Sequence, residues 1–193
     1  MDIFDTLYLG TSANVALDTP LTPEQKKSMI DAAAQKLSEL LAGRFSAPPR
    51  LTEFDSVETS GDLMVTGPIE LRSTCAHHLM PIFGSAIIGI IAADGRIIGL
   101  SKYDRVVHHF ARRFQVQEEL TRQIGDYLMA RTEPRGLAVR VRAVHMCKTH
   151  RGVLASHNSQ MISSAYYGLL KDDERLKAEF LEECRSLEGR AHP

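Results

Sequence analysis

Apolar side chains recur every three or four residues in several parts of the chain, a spacing that predicts amphipathic helices. The first such part follows Thr22, which is suited to cap a helix because a proline comes next and Gln25 stands three residues further on. Two more helices are predicted at about 103–114 and 117–131, and a charged amphipathic helix at about 172–187.

Strand patterns occupy the stretches between these helices. Residues 63–73 are predicted as a strand in which the Gly67-Pro68 step indicates a bulge or a sheet edge. Residues 83–99 contain two apolar runs on either side of Asp94-Gly95, a dipeptide typical of tight turns, and therefore predict a hairpin. Residues 159–167 are a further candidate strand.

The stretch 137–147 alternates in the way expected of a strand with one buried face. This period of two places His145 and Cys147 on the apolar face and Arg140 on the opposite face. The order of elements favours the α+β class. We expect an antiparallel sheet with two helices packed on one face, together with an N-terminal helix and a C-terminal helix.

Size and composition are those of an ordinary globular protein. With 193 residues, of which 44% are hydrophobic and 24% charged, the chain can form one domain with a terminal appendage. The proline-rich stretch at 46–50 is the nearest approach to a linker. We therefore predict an N-terminal arm and helix at 1–50 and a main domain at 51–193.

Charge and hydropathy exclude several kinds of partner. The net charge of −1 provides no general basic field for nucleic acid or an anionic membrane, so any anion site must be local. No apolar run approaches the roughly 20 residues that span a bilayer, and the acidic start lacks the basic region of a secretory signal. Three cysteines are too few for a disulfide scaffold, which favours a reducing cytoplasm.

Candidate metal ligands stand in two separate parts of the chain. Cys75 and His78 have a ligand-like spacing, and a distant Cys147 adds a second thiolate. Zinc favours this set of nitrogen and sulfur donors, and three protein ligands leave a fourth position for water. Two alternatives stay open at this point. A fourth ligand from the remaining histidines or cysteines would make the site structural, and without a metal Cys147 would be a buried free thiol.

Other residues are suited to move protons or to hold an anion. His77 and His145 adjoin the candidate ligands and can transfer protons near neutral pH. A predicted helix start at "GLSKYDR" offers free N–H groups to a polyphosphate, beside the side chains of Ser101, Lys102 and Arg105. Arg151 could add charge there, and Glu118 could accept two N–H bonds from a guanine edge. Each feature also has an explanation without a bound ligand. Residues 99–105 would be an ordinary solvated helix start, and the Glu118 carboxylate would complement the helix dipole.

Four motifs together resemble those of the GTP cyclohydrolase I family. They are "CAHH" at 75–78, "GLSK" at 99–102, "QVQE" at 115–118 and "HMCKTHRG" at 145–152. The resemblance extends over about residues 63–182 in unbroken order. It implies a tunnelling-fold (T-fold) subunit that assembles into a ring-shaped, decamer-like homo-oligomer with active sites at subunit interfaces.

The resemblance also implies a role for each matching residue. Cys75, His78 and Cys147 would bind zinc, and the water that zinc activates would attack C8 of GTP. His77 and His145 would transfer protons, and Glu118, helped by Gln117, would anchor the guanine. The triphosphate would be held by Ser101, Lys102, Arg105 and Arg151. The implied products are formate and dihydroneopterin triphosphate, the entry to folate or related pterins.

Two departures from the family pattern leave other functions open. The family has Glu where this chain has Ala76, and an Arg in its Thr-Pro-x-Arg sequence where this chain has Thr22. They motivate a divergent cyclohydrolase that opens another purine nucleotide or stops at the ring-opened formamide. A catalytically silent zinc-binding scaffold is a third hypothesis, although a scaffold would not need the two histidines or the basic set.

Overall fold

The computed structural model describes residues 21–55, 62–93 and 96–189. The chain divides into two compact units, Met1–Leu41 and Ala42–Pro193. In the first unit, helix α1 covers Pro23–Leu40 and begins with the predicted cap. The Gln25 N–H donates to Thr22 Oγ1 at 3.2 Å, and the Thr22 N–H donates to Gln25 Oε1 at 2.9 Å. The predicted Asp94-Gly95 turn lies outside the described residues.

The second unit contains seven strands and six helices within the described residues. The strands are β1 (Glu53–Asp55), β2 (Leu63–Cys75), β3 (Pro81–Ile91), β4 (Arg96–Ile98), β5 (Phe114–Gln115), β6 (Gly136–His145) and β7 (Gln160–Gly168). The helices are α2 (Ala42–Phe45), α3 (Ser101–Ala111), α4 (Gln117–Thr132), α5 (Met146–Thr149), α6 (Leu169–Asp172) and α7 (Glu174–Gly189). Within the described ranges, no helix is long and apolar enough to cross a membrane.

Five strands form one sheet in the order β5-β2-β3-β6-β7. The four long strands are antiparallel to their neighbours, and β5 joins β2 in parallel through two residue pairs. The register of β2 against β3 shifts between Thr66 and Ile69, which places the predicted bulge at Gly67-Pro68. The predicted hairpin at 83–99 is wrong, because β4 pairs with β1 in a separate two-stranded sheet.

The main core lies between the sheet and helices α3 and α4. Alternate residues of β6 supply one wall of this core, and both helices turn their apolar stripes towards it. The core residues on β6 are Leu137, Val139, Val141 and Ala143. Those on the helices include Val106, Val107, Phe110, Leu120, Ile124 and Leu128. The predicted α+β arrangement, with two helices on one face of a largely antiparallel sheet, is confirmed.

The opposite face of the sheet is partly covered by α7. Phe180 and Cys184 of this helix are buried against Ile87 and Ile91. Arg140 and Arg142 lie on this face, as the alternation of β6 predicts, and both bind the Glu188 carboxylate, at 3.2 and 3.4 Å. The sheet therefore has two distinct faces, and the C-terminal helix occupies only one of them.

The contact between α2 and α3 contains a buried histidine. Arg113 Nη2 donates to His109 Nε2 at 2.6 Å, and Ser46 Oγ is 3.5 Å from His109 Nδ1. Gly43 is required here, because a Cβ at that position would lie 1.9 Å from the His109 carbonyl oxygen. Burial lowers the pKa of His109, and the positive charge of Arg113 lowers it further. Arg44 adds a second positive charge next to Arg113.

This histidine predicts a loss of stability at acidic pH. The unfolded chain binds a proton on His109 at about pH 6.5, whereas the folded chain takes it up only at a lower pH. Stability therefore falls as the pH drops through this window. We expect His109→Gln to reduce the fall in unfolding temperature between neutral and mildly acidic pH by a few degrees. His108→Gln, which alters the exposed neighbour, is the control, and an identical pH profile for both variants would contradict the assignment.

Candidate active site

The turn between β2 and β3 carries the first two candidate ligands. It is closed by hydrogen bonds from the Cys75 N–H to the Met80 carbonyl at 2.8 Å and from the Leu79 N–H to the Cys75 carbonyl at 2.9 Å. The Ala76 N–H donates to the Gln115 carbonyl at 3.0 Å, which ties the turn to β5. Cys75 is buried and His78 is exposed, so the turn presents its ligands at the rim of the sheet.

Cys147 lies on a helical turn instead of on a strand. The strand β6 ends at His145, and α5 begins at Met146. The predicted sharing of one strand face by His145 and Cys147 is therefore wrong. The His150 N–H donates to the Met146 carbonyl at 2.9 Å, which closes a helical turn after the strand. Cys147 packs against the main core from this turn.

The donor atoms of Cys75, His78 and Cys147 all lie within 4.8 Å of one another. The Cys75 Sγ atom is 3.6 Å from His78 Nδ1. Burial raises the pKa of the Cys147 thiol, and the neighbouring Cys75 thiol raises it further. A bound cation would offset this rise, because metal binding favours the thiolate. Two sulfurs and one imidazole nitrogen at this separation fit zinc.

The three-ligand arrangement favours an open site over a closed structural one. Among the described residues, the cluster has no fourth histidine, cysteine or carboxylate donor. His77 lies beside His78, with ring centroids 6.1 Å apart, and belongs to no ligand group. Cys184 belongs to α7 and is buried against the opposite face of the sheet. A metal ion held by these three donors would keep a fourth position for water or a substrate atom.

His145 is held next to the cluster by a glutamine. Its Nε2 atom is 2.7 Å from Gln117 Oε1 at the start of α4. Burial lowers the pKa of His145; the Glu118 carboxylate acts in the opposite direction, and Lys148 lowers the pKa further. The histidine is thus half-buried and tuned towards its neutral form, which suits a group that accepts a proton.

Glu118 and Arg151 lie close to this centre. Glu118 is exposed in the first turn of α4, and its charge acts on His145. Arg151 is exposed just after α5, and its charge lowers the pKa of Cys147. Both residues can therefore meet a ligand that enters from solvent.

Ser101, Lys102 and Arg105 lie elsewhere in the chain's own structure. They stand in the first turns of α3, where Leu100 and Tyr103 line the same cavity as Met64 and Thr66 of β2. Thr66 is at the opposite end of β2 from Cys75, about 30 Å away at the usual rise per residue. The structure therefore does not bring these three predicted phosphate residues and the metal cluster of one chain together, whereas Arg151 lies near the cluster.

Comparisons with known proteins connect this geometry to a family. The family model described as GTP cyclohydrolase I matches residues 20–185. The GTP cyclohydrolase 1 of Thermobifida fusca (strain YX) is 41% identical over 77% of this chain and 72% of its own. That of Gloeobacter violaceus is 39% identical over 94% and 82%, and that of Listeria monocytogenes serotype 4b (strain CLIP80459) is 33% identical over 94% and 97%. The chain belongs to the GTP cyclohydrolase I family. It is a hydrolase of that type.

A solved structure also superposes on part of the chain. The apo form of the archaeosine synthase QueF-Like covers 57% of this chain and 96% of its own, with a TM-score of 0.45 and 14% sequence identity.

Two residues near the site of this GTP cyclohydrolase I family member, Thr121 and Ser163, were not identified from the sequence. Thr121 and Ser163 are hydrogen-bonded to each other at 2.6 Å beneath Gln117. The period of two in β7 could have indicated that Ser163 faces the core side, because Met161 and Ala165 flank it on that face. The partner of Ser163 on α4 depends on how the helix packs, which periodicity does not define.

Proposed function

We propose that this chain is a zinc-dependent GTP cyclohydrolase that opens the imidazole ring of guanine at C8. The net reaction consumes one water and releases formate and 7,8-dihydroneopterin triphosphate. The observation that supports it best is the three-donor cluster of Cys75, His78 and Cys147 beside a histidine that is hydrogen-bonded to Gln117. The chain's place in the GTP cyclohydrolase I family makes GTP the first substrate to test.

Three metal ligands and two further histidines, His77 and His145, would carry out the chemistry. Cys75, His78 and Cys147 would hold the zinc, which when bound supplies Lewis-acid activation of water. His145 would accept or return a proton during opening of the ring, and exposed His77 would do so from the turn between β2 and β3. The Glu118 carboxylate would accept two N–H bonds from the guanine edge, and this contact would orient C8 towards the cluster.

A second copy of the chain would complete the site. The span of about 30 Å along β2 exceeds the length of one nucleoside triphosphate, so Ser101, Lys102 and Arg105 would act in a neighbour's site. Arg151, next to Cys147, would meet the triphosphate from the cluster's own chain.

The sheet is suited to such an assembly. β7 forms one edge, and on the other edge β5 covers only Thr74 and Cys75 of β2, as far as the described residues show. Long unpaired edges favour pairing with another chain. An antiparallel pairing of β7 with a neighbour's β2 would continue the sheet into a ring, which we propose as the functional homo-oligomer.

The test is turnover of GTP by the purified, zinc-loaded protein. We expect stoichiometric formate and a pterin that becomes fluorescent after oxidation, with both lost after complete chelation of zinc and restored by its return. Full activity in the zinc-free protein would contradict the mechanism. Zinc binding without purine turnover would instead support the scaffold hypothesis.

Ala76 is exposed in the turn that carries Cys75 and His78, at the position where the family pattern has Glu. This difference favours testing a second function. A panel of GTP, GDP, GMP and deoxy-GTP, with detection of the ring-opened formamide, separates a divergent cyclohydrolase from one specific for GTP. Preferred turnover of another nucleotide, or accumulation of the formamide, would replace the leading proposal. A cytoplasmic location stays a prediction from the cysteine content.

A further inference from the structure

The side-chain amide of Gln117 has a fixed orientation. Its Nε2 atom lies 3.2 Å from both the Val141 and Met161 carbonyl oxygens and 3.0 Å from Ser163 Oγ. Carbonyl oxygens only accept hydrogen bonds, so the amide nitrogen has to face β6 and β7. A flipped amide would place its oxygen against two carbonyls in a site where Gln117 is 1% exposed. Gln117 Oε1 therefore faces His145.

Two hydroxyl groups reinforce this orientation through a closed cycle of hydrogen bonds. The Thr121 hydroxyl donates to the Gln117 main-chain carbonyl at 2.8 Å. Since its only proton is used there, the 2.6 Å contact between Thr121 and Ser163 requires Ser163 to donate. The Ser163 oxygen in turn accepts from Gln117 Nε2. The cycle begins at the Gln117 side-chain amide and ends at the Gln117 main-chain carbonyl. Each hydrogen bond in it has a defined donor and acceptor.

We propose that Gln117, held by Thr121 and Ser163, is a positioning residue that fixes His145 in the tautomer with hydrogen on Nε2. An amide oxygen only accepts, so the 2.7 Å contact with His145 Nε2 requires an N–H on that nitrogen. The other ring nitrogen, Nδ1, then carries the free lone pair. No residue in the described ranges forms a hydrogen bond with it.

This arrangement matters for proton transfer at His145. The Nε2–H···O bond to Gln117 fixes the orientation of the ring, so the lone pair of Nδ1 keeps one direction. A preorganised base of this kind loses little free energy to rearrangement during the reaction. The role differs from the help in holding guanine that the sequence motif implied for Gln117, because both ends of its amide are already used inside the protein. The tautomer stands on geometry alone, and only its catalytic use rests on the proposed function.

Ser163→Ala tests the cycle without altering His145, the metal ligands or Gln117. We expect kcat to fall about five- to tenfold, as for loss of one aligned hydrogen bond, with KM and zinc content unchanged. Ser163→Thr keeps the hydroxyl and should restore kcat. Ser164→Ala, on the exposed neighbour in the same strand, is the matched control and should behave like the parent protein. Equal kcat values for Ser163→Ala and Ser164→Ala would overturn the proposed role of the cycle.

A spectroscopic measurement keeps this inference separate from the proposed function. Solid-state NMR of sedimented, zinc-loaded protein with ¹⁵N-labelled histidine reports which ring nitrogen carries hydrogen, and His145→Gln assigns the signal. At alkaline pH we expect a single Nε2–H tautomer in the parent protein and a mixture in Gln117→Met. An Nδ1–H tautomer in the parent protein would overturn the proposal. The expected tautomer in a protein without GTP turnover would sustain the positioning role and reject the proposed function.

Discussion

Replacing His78 by alanine is expected to remove both zinc and GTP turnover. His78 Nδ1 is 3.6 Å from the Cys75 sulfur, and His78 contributes the one nitrogen donor of the cluster. Two thiols alone leave the ion without a third protein ligand, and the thiol of Cys147 already has a raised pKa that disfavours ionisation. We expect zinc content well below stoichiometric and a fall in turnover of at least about 100-fold, measured by metal analysis and formate release.

His77→Ala is the matched control for this loss. His77 is exposed on the same turn, its ring is 6.1 Å from that of His78, and it lies outside the ligand group. The variant should keep its zinc and lose turnover by about 100-fold, the lower end of the usual contribution of a general acid or base. Equal loss of zinc in both variants would show that the division between ligand and proton carrier is wrong.

Two inactive variants are expected to restore activity when they assemble in one ring. Lys102→Ala damages the proposed phosphate site at the start of α3, and His78→Ala damages the metal cluster. If each active site takes one half from each of two neighbours, random mixing leaves about a quarter of the sites intact. Co-expression with two different affinity tags, followed by tandem purification, isolates the hybrid rings. Their turnover per site should approach that fraction of the parent value.

The control for this complementation uses two variants with damage in the same half. A hybrid of Cys147→Ala and His78→Ala has no intact metal cluster in any subunit and should stay inactive. Native mass spectrometry would verify the mixed composition of both hybrids. If the Lys102→Ala and His78→Ala hybrid is verified and still inactive, the metal cluster and the phosphate residues do not come from different chains.

Periodicity predicted most of the fold, because burial on one face leaves a regular trace in the sequence. The alternation of β6 correctly separated Val139 and Val141 from Arg140 and Arg142. It failed at Met146, since the chain turns helical there while the residues continue to alternate in polarity. The hairpin predicted at 83–99 failed for a related reason. Pairing of β4 with β1 depends on a distant segment that local pattern does not identify.

The three candidate metal ligands were predictable as a set, whereas the arrangement of the residues around them was not. Residue chemistry and motif spacing indicated Cys75, His78 and Cys147 as a set, and the structure places their donor atoms together. The family resemblance assigned Lys102 to the same active site, and because α3 begins at the far end of β2 this assignment stays a prediction that requires a neighbouring chain. The hydroxyls of Thr121 and Ser163 left no motif at all. Their hydrogen bond depends on how helix α4 packs against strand β7, and the sequence pattern does not define that packing.

The ligand positions of the cluster have a consequence for how the protein matures. Cys75 ends β2 and Cys147 follows β6, and β3 lies between these strands in the sheet. Helices α3 and α4 also separate the two cysteines along the chain. The complete donor set therefore exists only after β6 has aligned with β3, a contact between distant parts of the chain that forms slowly. Uptake of the proposed zinc during refolding should therefore follow sheet formation. Only molecules in which β6 and β3 have the correct register should bind the metal.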